Sequence, residues 1–141
     1  MTQFDKRNIS MMMDLYEMTM ANGYFATSRK RRRSFLMCFT GRIPTRAAMR
    51  YFAGLEQVVE YAENLHFDSA DIDYFRSLNL FSEEFLQYLK EFRFTGDIYA
   101  FPEGTVMYPN EPVITVVAPL IDAQLIETAI LTQVNHQSLI A

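Results

Sequence analysis

The spacing of apolar residues changes near Gly96, and this change restricts the fold more than any other feature of the sequence. Before Gly96, apolar residues recur every three or four positions, as in residues 50–65, which is typical of amphipathic helices. After it, three short segments, 97–101, 105–108 and 112–118, are typical of strands. Because the helices precede these strands and do not alternate with them, the order favours an α+β fold over a repeated βαβ fold.

The first predicted helix is unusually apolar. Asn8 or Ser10 is suited to cap it, and it extends to about Ala26. Two apolar stripes lie side by side along it, and Glu17 and Asn22 are the polar exceptions. A helix that is apolar over most of its circumference is either buried or packed against a partner chain.

Three further helices are predicted before Gly96. The first covers residues 50–65, and its apolar positions share one face. The second begins near Asp68 or Ser69, the third begins after Ser82, and Asn79 separates the two.

The strands are predicted in two places. The apolar run 34–40 follows the first helix and predicts a buried strand. The three strands after Gly96 predict a small antiparallel β unit. Turn residues at 102–104 and 109–112 separate them, and we expect the first of these turns to be a tight hairpin connection with Gly104 at positive φ.

The sequence finishes in a segment that predicts one long helix, opened by Pro119 and running over residues 120–141. No glycine, asparagine, proline or basic residue follows to satisfy its last carbonyl groups, as helix ends usually require. We therefore expect the chain to be part of a larger protein.

Composition excludes several classes of protein. The chain has 141 residues, so residues 1–141 are expected to form one domain. A formal charge of −4 argues against nucleic-acid binding. The single cysteine, Cys38, permits no internal disulfide and no cysteine-based metal site, which fits a reducing compartment. No stretch approaches an uncharged membrane span, so we expect a soluble cytoplasmic protein with no membrane contact.

Local motifs offer little chemistry. There is no Walker loop and no Gly-x-Gly-x-x-Gly pattern. His66 and His136 have no acidic or cysteine neighbours at ligand spacing, and Cys38 lies in an apolar run that favours packing over reactivity. The basic run Arg29–Arg33 favours a solvated loop, with a phosphate contact or nucleic-acid binding as the alternatives.

Asp14 and Tyr16 suggest a ligand-binding site more strongly than these motifs do, because they lie at the start of a helix that is otherwise rich in methionine. A tyrosine ring can stack on a flat heteroaromatic ligand while its hydroxyl stays in water. The alternative is that Tyr16 packs in the core or in an interface.

Six segments carry further information when they are taken in order. They are Asp14-Leu15-Tyr16-Glu17-Met18-Thr19-Met20-Ala21, Phe52-Ala53-Gly54-Leu55-Glu56-Gln57, Phe92-Arg93-Phe94-Thr95-Gly96-Asp97-Ile98-Tyr99-Ala100, Pro102-Glu103-Gly104-Thr105, Pro109-Asn110-Glu111-Pro112 and Asn135-His136-Gln137-Ser138-Leu139-Ile140-Ala141. Together they resemble the amino-terminal region of nicotinate phosphoribosyltransferases, and the resemblance runs from about Ile9 to the last residue.

The resemblance implies an amino-terminal α+β domain of the hammerhead and barrel-sandwich kind, followed in the family by an irregular α/β barrel. Family enzymes transfer ribose 5-phosphate from phosphoribosyl pyrophosphate to the ring nitrogen of nicotinate, in NAD biosynthesis. They couple the step to ATP hydrolysis through a phosphorylated histidine, with Mg²⁺, and their sites form between the subunits of a homodimer. Neither His66 nor His136 matches that histidine, so the resemblance implies no catalytic residue in this chain, and we expect the chain alone to be inactive.

Some roles carry over by position. Tyr16 matches the tyrosine that stacks on the pyridine ring from the neighbouring subunit, and Asp14 lies at the same edge. Arg42 resembles an arginine that reaches the ribose phosphate, although Thr40 and Gly41 stand where the family has bulkier and more basic residues. Two other hypotheses remain open: a stand-alone interaction or oligomerisation module, and nucleic-acid binding through Arg29–Arg33.

Overall fold

The computed structural model describes residues 8–27, 32–40 and 49–141. Six helices and five strands lie within these ranges, and helices pack against one face of the larger sheet. In chain order the elements are α1 (Leu15–Ala26), β1 (Arg33–Phe39), β2 (Arg50–Tyr51), α2 (Leu55–Asn64), α3 (Ser69–Ser77), α4 (Glu83–Lys90), β3 (Asp97–Ala100), β4 (Val106–Met107), β5 (Pro112–Pro119), α5 (Leu120–Leu125) and α6 (Glu127–Ile140). The predicted α+β class is confirmed.

The strands form two antiparallel sheets. The larger has the order β1-β5-β3, and the smaller pairs β2 with β4. The turn at 102–104 therefore joins strands of different sheets, and the predicted hairpin is wrong. Gly104 has the expected positive φ of 80°. The sequence could not reveal these pairings, because the partners β1 and β5 are far apart in the chain.

The prediction that β1 is a buried strand is also wrong. Its residues alternate in burial, and Cys38 is the one buried residue of the strand. Phe35 is 71% exposed. The same alternation appears in β5, where Val116 is fully buried and Val117 is only partly so. One face of the larger sheet thus meets the core, and the other is uncovered by the described residues.

The three middle helices agree with the sequence pattern. Asp68 caps α3 through a capping box with Asp71, and the Ser82 hydroxyl accepts a hydrogen bond from the Phe85 amide at the start of α4. Asn79 separates the two helices at a positive φ of 53°. The helix predicted over 50–65 begins only at Leu55, since the preceding residues enter a strand.

The first helix also begins later than predicted, at Leu15 and not after Asn8 or Ser10. Ser10 does not cap it, because the Ser10 hydroxyl accepts a hydrogen bond from the backbone amide of His66 at 3.1 Å. The Tyr61 hydroxyl donates to the Ser10 carbonyl at 3.2 Å. The segment before α1 is therefore held against the end of α2.

The predicted single terminal helix is interrupted. Pro119 precedes the first turn, as expected, but α5 ends at Leu125. Ile126, at φ −109° and ψ −2°, separates it from α6. Because of the interruption, α6 has a separate N-terminus at Glu127, in the interior of the protein.

Candidate functional site

The first turn of α1 carries the two residues that the sequence singled out. Asp14 is the residue before the helix and is exposed, and Tyr16 is 47% exposed. Leu15 and Met20 are also exposed on this helix, whereas Met18 and Ala21 are completely buried. The helix is thus apolar on both sides but buried on one. Within this chain the helix is buried on one side only, and the alternative that its other side packs against a partner chain stays a prediction.

Glu17, one of the two polar exceptions on this apolar helix, has a completely buried side chain. Its Oε1 accepts a hydrogen bond of 2.8 Å from the backbone amide of Thr128 in α6. Its Oε2 is also buried and has no hydrogen-bond partner among the described residues. Burial raises the pKa of the Glu17 carboxyl, and the bonds from Thr128 lower it to a smaller extent.

Thr128 brings the other residues of this region together. Its hydroxyl lies 3.5 Å from Asp14 Oδ2. Burial raises the pKa of Tyr16, the charges of Glu127 and Glu17 raise it further, and the Thr128 side chain acts in the opposite direction. We call the five residues Asp14, Tyr16, Glu17, Glu127 and Thr128 the α1–α6 junction.

The other described candidates, Arg33 and His66, make their contacts elsewhere. Arg42 lies outside the described residues, as do residues 29–31 of the basic run. Arg33, at the end of that run, pairs with Asp97 at 3.5 Å on the surface. The His66 Nδ1 lies 2.6 Å from the Asn64 carbonyl.

Cys38 is 5% exposed, and burial raises the pKa of its thiol. Its packing role, expected from the sequence, is confirmed.

Three of the six sequence segments meet at the start of α2. Glu103 Oε1 accepts hydrogen bonds from the Gly54 amide at 2.7 Å and the Leu55 amide at 2.6 Å. The Ser138 hydroxyl donates to the Ala53 carbonyl and accepts from the Ala53 amide, both at 3.1 Å. The segments 52–57, 102–105 and 135–141 are therefore partners in one structural contact. Sequence reasoning missed it because the contact is between distant parts of the chain.

Gly54 makes this contact possible. It has a positive φ of 101°, which side chains rarely tolerate. A Cβ atom placed there would lie 2.9 Å from the Gln133 carbonyl oxygen of α6. The start of α2 thus requires a glycine both for its backbone conformation and for its close approach to α6.

A fourth segment, 92–100, is fixed to α5. The buried Asp122 carboxylate accepts hydrogen bonds on Oδ2 from the Thr95 amide at 3.0 Å and from the Thr95 hydroxyl at 2.9 Å. Burial raises the pKa of Asp122, and the Thr95 bonds oppose this rise. Both donors are satisfied within the fold, so this carboxylate serves structure.

The uncovered face of the larger sheet is apolar. Phe35 and Met37 point out of β1, and Tyr99, 62% exposed, points out of β3 across the partly buried Thr115 and Val117 of β5. An exposed apolar surface of this kind marks an interaction site more often than a free surface.

Residues 8–27, 32–40 and 49–141 contain neither a candidate metal cluster nor a candidate membrane-spanning helix. No three His, Cys, Asp or Glu side chains there lie together in a way that could hold a metal ion. No helix in those ranges has both the length and the apolar character needed to cross a membrane.

Comparison with known proteins gives a consistent result. Residues 11–135 match the model of the nicotinate phosphoribosyltransferase (NAPRTase) N-terminal domain. Nicotinate phosphoribosyltransferase pncB2 of Mycobacterium tuberculosis is 46% identical over 128 residues, which cover 91% of this chain and 27% of the relative. The nicotinate phosphoribosyltransferase of Bacillus subtilis is 39% identical over 138 residues, which cover 98% of this chain and 28% of the relative.

Solved structures agree. The crystal structure of human nicotinic acid phosphoribosyltransferase superimposes with a TM-score of 0.83 at 30% identity, covering 91% of this chain and 26% of the human chain. Nicotinate-nucleotide pyrophosphorylase from Pyrococcus furiosus has a TM-score of 0.62 at 19% identity, which shows a shared fold only.

The chain spans about a quarter of the length of these relatives and matches their amino-terminal part. With the family model matched over most of its length, the chain belongs to the N-terminal domain family of the nicotinate phosphoribosyltransferases.

Proposed function

We propose that this chain serves as the amino-terminal domain of an enzyme that makes nicotinate mononucleotide from nicotinate and phosphoribosyl pyrophosphate. In that reaction the nicotinate ring nitrogen forms a bond to the anomeric carbon of the ribose, and the bond from that carbon to pyrophosphate breaks. The observation that carries the proposal is the family match over residues 11–135 together with 46% identity to the Mycobacterium tuberculosis enzyme.

Tyr16 is the residue of the described chain that we assign to the nicotinate pocket. Its ring leaves the first turn of α1 at the surface, beside the exposed Asp14, and no described side chain covers it fully. A ring in this position is free to stack on a pyridine, which contributes about 0.5–1.5 kcal/mol beyond the area buried. Arg42 is proposed, on the resemblance alone, to reach the ribose phosphate.

These residues position substrate, and none of them performs the bond exchange. A ring held by stacking and a phosphate held by a cation align the nitrogen with the anomeric carbon, which makes the step effectively unimolecular. ATP hydrolysis and Mg²⁺ are proposed for the whole enzyme and supply phosphoryl-transfer energy and charge neutralisation outside this domain. No role for Mg²⁺ is assigned to the described residues, among which no three His, Cys, Asp or Glu side chains lie together.

We further propose a homodimer in the cytoplasm, in which Tyr16 enters the site of the neighbouring subunit. The half-exposed Tyr16 and the apolar face formed by Phe35, Met37 and Tyr99 support this, since both are surfaces that a second polypeptide could cover. The same apolar face favours the alternative that the chain acts alone as an association module.

One experiment separates these functions. The amino-terminal quarter of the Mycobacterium tuberculosis relative is replaced by this chain, and nicotinate mononucleotide formation is measured. We expect the chimera to be active, the 141-residue chain alone to be inactive, and Tyr16→Ala to raise the KM for nicotinate by about two- to tenfold with a smaller change in kcat. An inactive chimera that is folded, or an unchanged KM in Tyr16→Ala, contradicts the proposal, and Tyr16→Phe is the matched control because it keeps the ring.

A further inference from the structure

The start of α6 has no cap of its own. Ile126 precedes the helix, is apolar, and makes no side-chain hydrogen bond to the first turn. The Thr128 amide belongs to the group of N–H donors that a helix leaves without an intrahelical partner. Glu17, 111 positions earlier, accepts from this amide at 2.8 Å. A side chain of α1 thus caps α6.

Because Glu17 is buried, its hydrogen bond to Thr128 restricts the rotation of α1 about its axis. Glu17 and Met18 are both completely buried, so the first turn of the helix cannot rotate about its axis without displacing both side chains. Tyr16 is adjacent to Glu17 and leaves the helix about 100° away from it. The direction of the Tyr16 ring is therefore tied to the anchoring of Glu17.

The surroundings of Glu17 contain acidic groups and hydroxyls. Asp14 and Glu127 are the acidic neighbours. The charge of Glu127 raises the pKa of both Tyr16 and Glu17, and the charge of Asp14 raises the pKa of Tyr16. The Tyr61 hydroxyl from α2 is close enough for the Glu17 charge to raise the pKa of Tyr61, after the larger effect of burial. No ion pair involving Glu17 occurs within the described ranges, and its Oε2 has no hydrogen-bond partner there. An apolar side chain of similar size would fill this space at lower cost, so packing alone does not account for an acceptor at this position.

We propose that Glu17 is a positioning residue for Tyr16. By capping α6 from within α1, it fixes the direction in which the Tyr16 ring is presented. The assignment of Tyr16 as a nicotinate contact rests on the proposed function. The positioning of the Tyr16 ring by the Glu17–Thr128 hydrogen bond rests on the structure alone.

The first arm of the test uses the 141-residue chain and nuclear magnetic resonance. Glu17→Met fills a similar volume without an acceptor, and Glu17→Gln keeps one. We expect Glu17→Met to speed hydrogen exchange of the Thr128 amide by about tenfold and to abolish the nuclear Overhauser contacts between the Tyr16 ring and the Thr128 side chain. Glu17→Gln should restore both.

The matched control is Glu103→Ala, which removes another carboxylate that caps a helix at a distance. It should speed exchange at the start of α2 and leave the Tyr16 contacts unchanged. Unaltered Tyr16 contacts in a folded Glu17→Met protein overturn the proposal, as does a Glu17→Gln protein that behaves like Glu17→Met.

The second arm measures nicotinate kinetics in the chimera described above. Glu17→Met should raise the KM for nicotinate by about two- to tenfold with a smaller effect on kcat, as Tyr16→Ala does, and Glu17→Gln should not. If Tyr16→Ala raises the KM and Glu17→Met does not, the positioning role is refuted while the proposed function stands. If Tyr16→Ala has no effect, the proposed function fails, and the first arm still decides the positioning role.

Discussion

Two helices of this protein, α2 and α6, are capped by a glutamate from a distant part of the chain, and the two caps differ in environment. Glu103 caps α2 from the surface, and its Oε1 accepts from the amides of Gly54, Leu55 and Glu56. Glu17 caps α6 from the interior, where one oxygen accepts from one amide and the other accepts nothing among the described residues.

The difference separates a stabilising cap from a costly one. At α2 the carboxylate keeps contact with water and gains three backbone donors, so the charge is well compensated. At α6 the carboxyl loses its hydration and gains one donor, and burial raises the pKa of Glu17. We therefore expect removal of the Glu103 cap to destabilise the fold. Removal of the Glu17 charge should stabilise it at neutral pH.

The largest effect is expected at the start of α2. Gly54→Ala should lower the free energy of unfolding by about 3 kcal/mol, because the residue has a positive φ and its new Cβ would lie 2.9 Å from the Gln133 carbonyl oxygen. Denaturant unfolding measures this. Gly23→Ala in α1 is the control, since nothing lies within 4 Å of its added Cβ and the helix gains stability. Equal effects of the two substitutions would contradict the role assigned to Gly54.

A smaller loss is expected when the surface cap is removed. Glu103→Ala should lower the free energy of unfolding by about 1 kcal/mol, because the amides at the start of α2 lose the carboxylate acceptor and must donate to water. Glu103→Gln retains an acceptor and should recover most of the loss. A thermal or denaturant titration of the three proteins decides the point, and a Glu103→Gln protein as weak as Glu103→Ala would argue against a cap.

The smallest effect is expected for Glu17→Gln. It depends on pH and raises stability, whereas the two preceding substitutions lower it. The pKa of Glu17 is higher in the folded state than its ordinary value of 4.5, so the folded state binds the proton more tightly than the unfolded state. The wild-type chain accordingly loses stability as pH rises from about the ordinary value through the folded-state pKa. Glu17→Gln removes this loss, so its stability relative to wild type should increase from acid to neutral pH. Denaturant titrations at several pH values measure it, and a relative stability that falls with pH would contradict the burial argument.

Much of the fold could be predicted from local patterns. The period of apolar residues predicted α2, α3 and α4, and the capping residues Asp68 and Ser82 marked the starts of two of them, because such signals act within one or two turns. The α+β order followed from the change of period near Gly96.

The features that depend on distant partners could not be predicted. The sequence identified Glu17 only as a polar exception on an apolar helix, because its partner Thr128 is 111 positions away. Glu103 looked like part of a hairpin because its partners lie 47–49 positions away. Asp14 and Tyr16 were singled out by their place at the start of the first helix, and the resemblance supplied only their roles. The structure places both in one junction, whereas Arg42 stays a prediction outside the described residues.

The alternation along β1 has a practical consequence for anyone who handles the chain alone. Positions 35 and 37 bear apolar side chains that solvent reaches, whereas Cys38 and Val116 are enclosed. Mutational tolerance should therefore differ between the two faces of the larger sheet. A library scored by folding would accept lysine or glutamate at positions 35 and 37 and reject either at positions 38 and 116. Polar replacements at positions 35 and 37 would yield a more soluble protein for spectroscopy without disturbing its interior.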